Sequence, residues 1–450
     1  MVGWAWFSIW SLVAGFSSPS GLIFFSTCRA LQGMGPALLI PNAIAMIGRT
    51  FPIGLKRNIA FACFGAAGPT GAAVGAVFAA LIAERLSWPW CFWTLSIFCA
   101  VCIVVSQALI PNEQTYQQSP LSERPSFDWA GAFTGVTGLV LVNFALNQAP
   151  IVGWNQPYVP VLLGIGFVFL VAFIFLEMYY VSQPLIPIRG LQRSAVLALA
   201  CVFTGWSSHG IWVYYLYIFL EHIRGHSALL TSAETSPVAV TGLIFAFTTV
   251  WLLRRIPVSY VMLAAMIFFL VGSLLIAITP LEQTYWANTF VAIILMPGAM
   301  NLSFPAATIL LSAALPRESQ GIAASLVATT VNYSIASGLG LAGSIHRHTL
   351  MRALYLAGMG DQPAPLSLST PQLVSARLEA LRSAYWFAVA LSGLGILVAL
   401  LFIILARKRR DDMSDTERLS PSSKSSRSKE QVLQSQKVAS GSRPGATFTN

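Results

Sequence analysis

Long apolar runs separated by short polar stretches make up most of the sequence. A helix that crosses a bilayer needs about 20 predominantly apolar residues. Twelve runs reach or approach this length, at residues 4–15, 21–47, 58–81, 89–109, 128–146, 158–178, 194–220, 229–253, 258–278, 285–315, 321–345 and 384–406. The pattern predicts an all-α polytopic membrane protein with about twelve transmembrane helices, the first of them short.

The basic residues predict how these helices are oriented, because cytoplasmic connections carry an excess of Lys and Arg. If the first run leads out of the cytosol, the short outer connections carry only Arg85 and Arg224. The inner connections carry nine basic residues: Arg49, Lys56, Arg57, Arg124, Arg189, Arg193, Arg254, Arg255 and Arg317. Four basic residues follow the last run, at 407–410. The C-terminus is therefore expected in the cytosol.

Three polar stretches interrupt or follow the apolar runs. We expect residues 111–127 to form a cytosolic loop and residues 346–383 an external loop with one short amphipathic helix. Residues 407–450 are rich in Ser and Lys and almost free of apolar residues. Such a segment cannot bury a core, so it is predicted to be a disordered cytosolic tail.

The composition narrows the classes of partner. Only 9% of the residues are charged, whereas soluble domains carry roughly 25%. The net charge of +10 does not indicate a nucleic-acid surface, because 10 of the 26 Lys and Arg residues follow residue 406 and most others lie in connections. The six cysteines all lie in apolar runs, so we expect no disulfide framework, metal site or cofactor. The expected partners are the lipid bilayer and a small-molecule substrate.

Residues 63–82 form an uncharged run with four glycines on one helix face. These are Gly65, Gly68, Gly71 and Gly75, and Pro69 lies among them. In lipid this segment must still be helical, because its backbone groups have no water to bond. Small residues let a neighbouring helix approach closely. The run is either ordinary small-residue packing or a bending helix between two halves of a transporter.

Arg29 lies about nine residues into an apolar run. Inserting Arg at the centre of a membrane helix costs roughly 2.5–3.5 kcal/mol, so such a residue should face a partner or a wet cavity. Gln32 shares its helix face, and Gly33 and Gly35 would admit a close neighbour. The alternative is an Arg that extends to the outer headgroups.

Two titratable side chains inside predicted spans are candidates for proton coupling. A buried carboxylate at Glu234 would have a raised pKa and would carry a proton, unless Glu234 lies at the outer membrane surface. His209 lies in the middle of a span, where it would titrate or bind substrate. A packing histidine is the alternative for His209.

Polar and aromatic residues in two later spans are candidates for a substrate cavity. Asn332 and Tyr333 lie mid-helix and would line a cavity or form interhelical hydrogen bonds. An aromatic wall for an apolar substrate would include Trp206, together with Trp212, Tyr214 and Tyr215. Some of these rings are expected to be core or lipid-facing instead.

Two motifs resemble those of the drug:proton antiporters of the major facilitator superfamily. Residues 29–35, RALQGMG, resemble the motif of the family's fourth helix, and residues 65–71, GAAGPTG, resemble the antiporter motif of its fifth. They occur in the family's order and at its separation. Residues 210–216, 321–327 and 331–335 resemble fungal members of the fourteen-helix branch.

This resemblance implies the major facilitator fold, with the twelve visible helices corresponding to helices three to fourteen. Residues 1–110 would be an incomplete N-terminal half, 128–178 two inserted linker helices and 179–406 the six-helix C-terminal half. The family's first helix and the basic loop after its second are absent, Ala79 and Ala80 stand where the branch often has glycines, and residues 344–346 replace an acidic ending. The sequence would then either begin two helices late or encode a non-functional truncated copy.

The function that follows is proton-coupled efflux of small apolar compounds, drugs or fungal secondary metabolites, by a monomer in the plasma or vacuolar membrane. An importer or an ammonium-type carrier on the same fold is the alternative, because cavity residues rather than folds decide function. An intramembrane enzyme is disfavoured. Five histidines are too few for desaturase-type boxes, and the sequence around Ser207 is not a nucleophile elbow.

Overall fold

The computed structural model describes residues 1–17, 21–52, 55–110, 127–181, 184–186, 188–314, 320–356 and 371–419. Every regular element in these ranges is helical. The chain divides into two compact units, Met1–Leu400 and Leu401–Asn450. The described residues of the second unit form the end of the last helix. The apolar core of the protein lies in the first unit.

Thirteen α-helices follow one another in the described part of the chain. They are α1 (Val2–Gly15), α2 (Leu22–Thr50), α3 (Leu55–Arg85), α4 (Pro89–Leu109), α5 (Trp129–Val152), α6 (Tyr158–Tyr179), α7 (Arg193–Ile218), α8 (Ala228–Thr235), α9 (Pro237–Arg255), α10 (Val258–Ala277), α11 (Asn288–Ala314), α12 (Gln320–Leu356) and α13 (Pro371–Leu419). A 3₁₀ turn at Ile188–Gly190 precedes α7, and a π-helical turn at Phe219–Ile223 continues it.

The helices confirm the prediction of an all-α polytopic membrane protein. Eleven spans in the described residues are long and apolar enough to cross a bilayer, with α8 and α9 together forming one of them, Ala228–Arg255. The helix α1 is shorter than the other spans, as its apolar run predicts. Prolines lie inside several spans, including Pro69 in α3 and Pro297 in α11. Membrane helices tolerate such prolines because neighbouring groups satisfy the freed backbone.

The boundaries near the C-terminus differ from those predicted. Most of the expected loop at 346–383 is helical, because α12 continues to Leu356 and α13 already begins at Pro371. The two extensions stabilise each other through a small apolar cluster in which Leu354 packs with Leu373 and Ala376. The expected tail is also helical as far as Leu419. Residues 111–126, 357–370 and 420–450 lie outside the described residues.

The core of the first unit lies among the later helices, with α7 at its centre. Buried residues of α7, α10, α11, α12 and α13 form one continuous apolar cluster. Every residue from 204 to 212 of α7 is buried, so this helix has neighbours on all sides. The helices α5 and α6 pack on each other, and α5 also packs on α12. The helix α3 packs on α8 and α9, which brings an early helix against the later ones.

Candidate functional site

The centre of α7 carries a run of polar side chains that connects it to its neighbours. Trp206 donates its indole N–H to Ser303 Oγ of α11 at 3.1 Å. The hydroxyl of Ser207 donates to the Ser334 carbonyl of α12 at 2.8 Å. Because an unpaired polar group in an apolar interior is costly, these bonds specify which helices lie beside α7.

The next side chain in the run is paired as well. Ser208 Oγ lies 2.9 Å from Ser273 Oγ of α10 and 3.4 Å from Ser392 Oγ of α13. The run ends at His209, which differs from the three residues before it in its hydrogen bonding. Its Nδ1 is buried and has no hydrogen-bond partner among the described residues.

Aromatic rings surround His209. Its imidazole stacks on Trp212 with ring centroids 6.0 Å apart and meets Trp206 edge to face at 5.4 Å. Phe269 lies 6.4 Å away on another side. Only 9% of His209 and 2% of Trp212 is exposed, and Trp212 Nε1 also lacks a partner in the described part of the chain. Two neighbouring buried nitrogen atoms are therefore left without hydrogen bonds.

Both residues line a chamber of about 90 Å³. Its walls come from α3, α7, α8, α9 and α11, and Pro69 is the wall residue that belongs to the antiporter-like motif of α3. At one side, Tyr217 and Thr235 pair through their hydroxyls at 3.2 Å. None of the described residues that line the chamber is Asp, Glu, Lys or Arg. The chamber is thus mostly apolar, with a few polar groups.

A larger and more open groove of about 320 Å³ adjoins the chamber. It runs between α7 and α12, and Glu221 and His222 of the π turn contribute to its lining. Val213 and Tyr217 line both spaces. The groove also includes Tyr214, which is 53% exposed. The predicted aromatic wall therefore divides, with Trp206, Trp212 and Tyr215 buried and Tyr214 facing the groove.

The glycine face of α3 is not the packing surface that its spacing predicts. A Cβ atom placed at Gly68, Gly71 or Gly75 would meet no described heavy atom within 4 Å. One at Gly65 would approach only Asn301, at 3.9 Å.

The close approach at this point of α3 is made by Pro69 instead. A Cβ atom at Gly242 of α9 would lie 2.6 Å from Pro69 Cγ. The glycine that the contact requires is therefore on the neighbouring helix, while α3 contributes the proline ring.

Two glycines of α12 behave as close-packing residues. A Cβ atom at Gly338 of α12 would lie 2.8 Å from Ser207 Cβ, and one at Gly340 would lie 2.7 Å from the Leu146 carbonyl oxygen of α5. Small residues on α12 thus let α5 and α7 approach its backbone.

Arg29 and Gln32 are joined, as their shared helix face predicts. The Arg29 guanidinium donates to the Gln32 carbonyl oxygen, and the Gln32 amide donates to Ser11 Oγ of α1. Arg29 also lies over the Phe92 ring of α4, 5.5 Å from its centroid. Gln32 is buried, whereas Arg29 is exposed. The motif therefore connects α2 to α1 and α4.

The two glycines of this motif differ from each other. A Cβ atom at Gly35 would lie 2.7 Å from Phe7 Cβ of α1, so Gly35 permits close packing of α1 on α2. A Cβ atom at Gly33 would meet nothing described within 4 Å, so the expectation of a close neighbour is wrong there.

Glu234, near the end of α8, belongs to a polar cluster and does not itself line the chamber. Its carboxylate is 3.0 Å from His226 Nδ1, and its backbone carbonyl accepts a hydrogen bond from the Tyr285 hydroxyl at 2.6 Å. Burial, with a contribution from the Glu234 charge, raises the pKa of Tyr285 to about 12. Burial lowers the pKa of Arg224, and Glu234 opposes this. The cluster favours the interfacial interpretation of Glu234.

Asn332 and Tyr333 of α12 do not line the chamber. The Asn332 amide bonds to the Ala328 carbonyl of its own helix at 2.8 Å, and Asn332 is exposed. The Tyr333 hydroxyl is buried without a partner in the part of the chain that the structure describes.

The sequence placed His209 among the candidate residues but gave no indication of three features in and near the chamber. These are the indole N–H of Trp212, which has no partner among the described residues, the Tyr217–Thr235 pair and the role of Gly242. The GWSSHG segment was a usable signal, since a polar run inside an apolar span needs partners. Gly242 stands in an ordinary apolar stretch and gave no signal. No group of three or more potential metal ligands occurs among the described residues.

Comparison with known proteins identifies the family. The family model of the Major Facilitator Superfamily matches residues 1–341. The chain is 45% identical over 401 residues to the low affinity ammonium transporter of Saccharomyces cerevisiae, covering 89% of this chain and 74% of that protein. It is 42% identical over 339 residues to the efflux pump terJ of Aspergillus terreus, covering 75% and 65% respectively.

A solved structure shows the same fold. It is a bacterial homologue of the human lysosomal transporter Spinster in an inward-facing, occupied conformation, which matches with a TM-score of 0.51 at 16% identity. The match covers 89% of this chain and 81% of that one. The chain therefore belongs to the Major Facilitator Superfamily, and it is a multi-pass membrane transporter rather than an enzyme.

Proposed function

We propose that the protein exports small, mostly apolar compounds in exchange for protons by alternating access. The observation that carries this proposal is the chamber in which Pro69, from the antiporter-like motif, and His209, whose Nδ1 has no hydrogen-bond partner among the described residues, line the same space. Mostly apolar walls with a few polar groups are typical of sites for small organic molecules. The similarity to the efflux pump terJ supports export.

The chamber lies where two moving halves would meet. We assign α1–α4 to the N-terminal half, α5 and α6 to an inserted pair, and α7–α13 to the C-terminal half, as in the fourteen-helix branch. In transporters with repeated halves, substrate binds at their interface and the halves rock about it. The packing of α3 on α8 and α9 supports this assignment, because it encloses the chamber between helices of the two halves.

His209 is proposed as the coupling residue. Histidine is the side chain whose ordinary pKa lies closest to neutral pH, and His209 contributes to the chamber wall. The Glu234 carboxylate already faces His226 at 3.0 Å and does not line the chamber. Proton binding at His209 would therefore act directly on a substrate in the chamber.

A carrier of a small cation such as ammonium is the second candidate. It is favoured by the 45% identity to the low affinity ammonium transporter. It is also favoured by the chamber volume of about 90 Å³, because pockets for drug-sized ligands measure roughly 300–1,000 Å³.

Transport in proteoliposomes separates the two candidates. The full chain is reconstituted, a pH gradient is imposed, and the movement of rhodamine 6G and of radiolabelled methylammonium is followed in parallel. The proposal predicts rhodamine transport that collapses when an ionophore dissipates the gradient, and loss of this dependence in His209→Gln. Methylammonium transport without rhodamine transport would establish the second candidate instead.

We also propose that the protein is a monomer of the plasma membrane with a cytosolic C-terminus. The basic residues at 407–410 and the charge asymmetry of the connections support this orientation. Protease treatment of sealed cells expressing a C-terminally tagged chain is expected to leave the tag intact. Cleavage of the tag without permeabilisation would reverse the orientation.

A further inference from the structure

We propose that Glu177 and Asp128 hold one proton between them, so that the α5–α6 pair carries a proton-binding site separate from the chamber. Glu177 lies near the end of α6, and Asp128 directly precedes α5. Neither residue belongs to the lining of the chamber or of the groove. The inference goes beyond the proposed export and does not rest on it, because the ligand of this site is the proton itself, whatever the cargo of the chamber.

The Glu177 carboxyl group is fixed in a buried position. Only 3% of the residue is exposed. Its Oε1 accepts a hydrogen bond from the Leu185 amide and its Oε2 accepts one from the Ile186 amide, each at 3.2 Å. These bonds attach the connection that leads towards α7 to the end of α6. Glu177 therefore cannot turn towards water without breaking both of them.

Asp128 places a second carboxyl group against the first. Its Oδ1 accepts a hydrogen bond from the Gly131 amide at 2.8 Å and so caps the first turn of α5. Its Oδ2 is buried and has no hydrogen-bond partner in the described part of the chain. A Cβ atom at Gly131 would overlap Asp128 Oδ2 and would lie 2.9 Å from Glu177 Oε1. The two oxygen atoms are therefore at most about 5 Å apart, in a space that the glycine leaves free.

The described surroundings of the two carboxyl groups supply no ion-pair partner. The helix α6 packs on α5 and on the turn at Ile188–Gly190. In these elements the cation is Arg189, which is exposed and lies over the Tyr179 ring, 5.1 Å from its centroid. Neither carboxyl group forms a salt bridge with a described residue. Two carboxylates this close in a buried site do not both ionise readily, and one shared proton removes their repulsion.

The shared proton would lie between Glu177 Oε1 and Asp128 Oδ2. One of these oxygen atoms then donates and the other accepts, so Oδ2 gains the partner that it lacks, while Oδ1 and Oε2 keep their bonds to backbone amides. Loss of the proton would leave two facing negative charges. Because two amides fix Glu177 and Asp128 is only half-buried, Asp128 is expected to move towards water and to uncap α5. Proton binding at this site would thus stabilise the start of that helix.

Infrared difference spectroscopy of the purified full chain between pH 9 and pH 6 tests the proposal. A protonated carboxyl group has a C=O stretching band that a carboxylate lacks, and ordinary carboxyl groups are almost fully ionised at about pH 6. Wild type is expected to show the band at pH 6 and to lose it towards pH 9. Glu177→Gln is expected to lack the band. Glu282→Gln is the matched control and should keep it, because Glu282 is exposed.

Asp128→Asn separates a shared proton from simple burial of Glu177. Asn caps a helix about as well as Asp, so the variant removes the facing charge and keeps the start of α5. Its band at pH 6 is expected to be lost, because Glu177 then ionises at lower pH. Thermal melting at pH 6 establishes which variants are folded, and if Glu177→Gln does not fold, Asp128→Asn decides. A full band in Asp128→Asn would overturn the proposal, and so would the absence of the band in wild type or its persistence in Glu177→Gln.

The proton site and the proposed export fail independently. A band that responds to both substitutions, in a chain that transports no solute, would leave the proton site standing and refute export. Gradient-driven export of rhodamine 6G by a chain without the band would refute the proton site and leave export standing.

Discussion

At the scale of single residues, Gln32 shows how one side chain organises the first helices. It accepts from Arg29 on its own helix and donates to Ser11 of α1, while it is itself buried. Its side-chain amide therefore accepts one hydrogen bond and donates another in the buried contact between α1 and α2. Ser11 also bonds to the Phe7 carbonyl at 2.6 Å, which extends the chain of hydrogen bonds along α1.

We expect Gln32→Ala to destabilise the protein by about 1–3 kcal/mol, because it removes two hydrogen bonds of a buried amide, one of them from the charged Arg29 guanidinium and the other to Ser11 of α1. Thermal melting in detergent measures this. The control is Asn42→Ala on the same helix, because Asn42 is exposed and its amide bonds, within the described part of the chain, to the Leu38 carbonyl of α2. Equal melting temperatures for the two variants would contradict a structural role for Gln32.

Tyr285 gives the protein a pH dependence at alkaline pH. Its pKa is raised to about 12 by burial and by the charge of Glu234, whereas an unfolded tyrosine has a pKa of about 10. The folded state therefore holds the phenolic proton more tightly. This contribution to stability is complete below about pH 10 and is lost as the pH rises towards 12.

Tyr285→Phe is thus expected to lose less stability than wild type between pH 10 and pH 12, measured as the slope of the melting temperature against pH. Its melting temperature at pH 7 should be lower, since the bond to the Glu234 carbonyl is lost. Tyr355→Phe is the control, because that ring is 70% exposed. Parallel slopes for wild type and Tyr285→Phe would contradict the prediction.

At the scale of elements, the contact between α3 and α9 depends on one glycine and one proline. A side chain at Gly242 meets Pro69 at 2.6 Å, whereas one at Gly68 meets nothing described within 4 Å. Two glycines at the same level of the structure should therefore respond in opposite ways to the same substitution.

We expect Gly242→Ala to separate α3 from α9, lowering stability and reducing transport several-fold, because overpacking typically costs about 1–3 kcal/mol. Gly68→Ala should leave the melting temperature unchanged or raise it, since Ala is the better helix former by about 1 kcal/mol. Melting temperature and initial transport rate are measured for both variants. A larger defect in Gly68→Ala would restore the glycine face of α3 as the important surface.

At the scale of the whole molecule, α3 is attached to the later helices at several levels. Ser232 Oγ of α8 bonds to the Ala76 carbonyl at 3.2 Å, and the Leu229 amide bonds to Glu84 Oε1 at 3.0 Å. If the halves rock during transport, these bonds must break and form again in each cycle.

A disulfide between Ala76→Cys and Ser232→Cys, in a chain whose six free native cysteines are replaced, should stop transport when oxidised. Reduction with dithiothreitol should restore it. Each single-cysteine chain is the control and should transport under both conditions. Full transport by the cross-linked protein would mean that α3 and α8 move as one body.

How much of a residue's role can be predicted from the sequence differs from residue to residue. The pairing of Arg29 with Gln32 was predictable, because both lie on one helix and a fixed helical period relates them. The glycine face of α3 was not, since a row of small residues permits a close neighbour without requiring one. Gly242 gained its role from Pro69, a residue more than a hundred positions away.

The sequence by itself determined the helices, their number and the resemblance to a transporter family. The physical reason is that every backbone group in lipid must be paired within its own segment, so an apolar run of sufficient length has to be helical. Only the tertiary structure decided which polar atoms remain unused. Partners for the tryptophan and serines of α7 come from α10, α11, α12 and α13, and local sequence does not specify them. After those bonds are formed, His209 and Trp212 each keep a buried nitrogen atom that has no hydrogen-bond partner among the described residues.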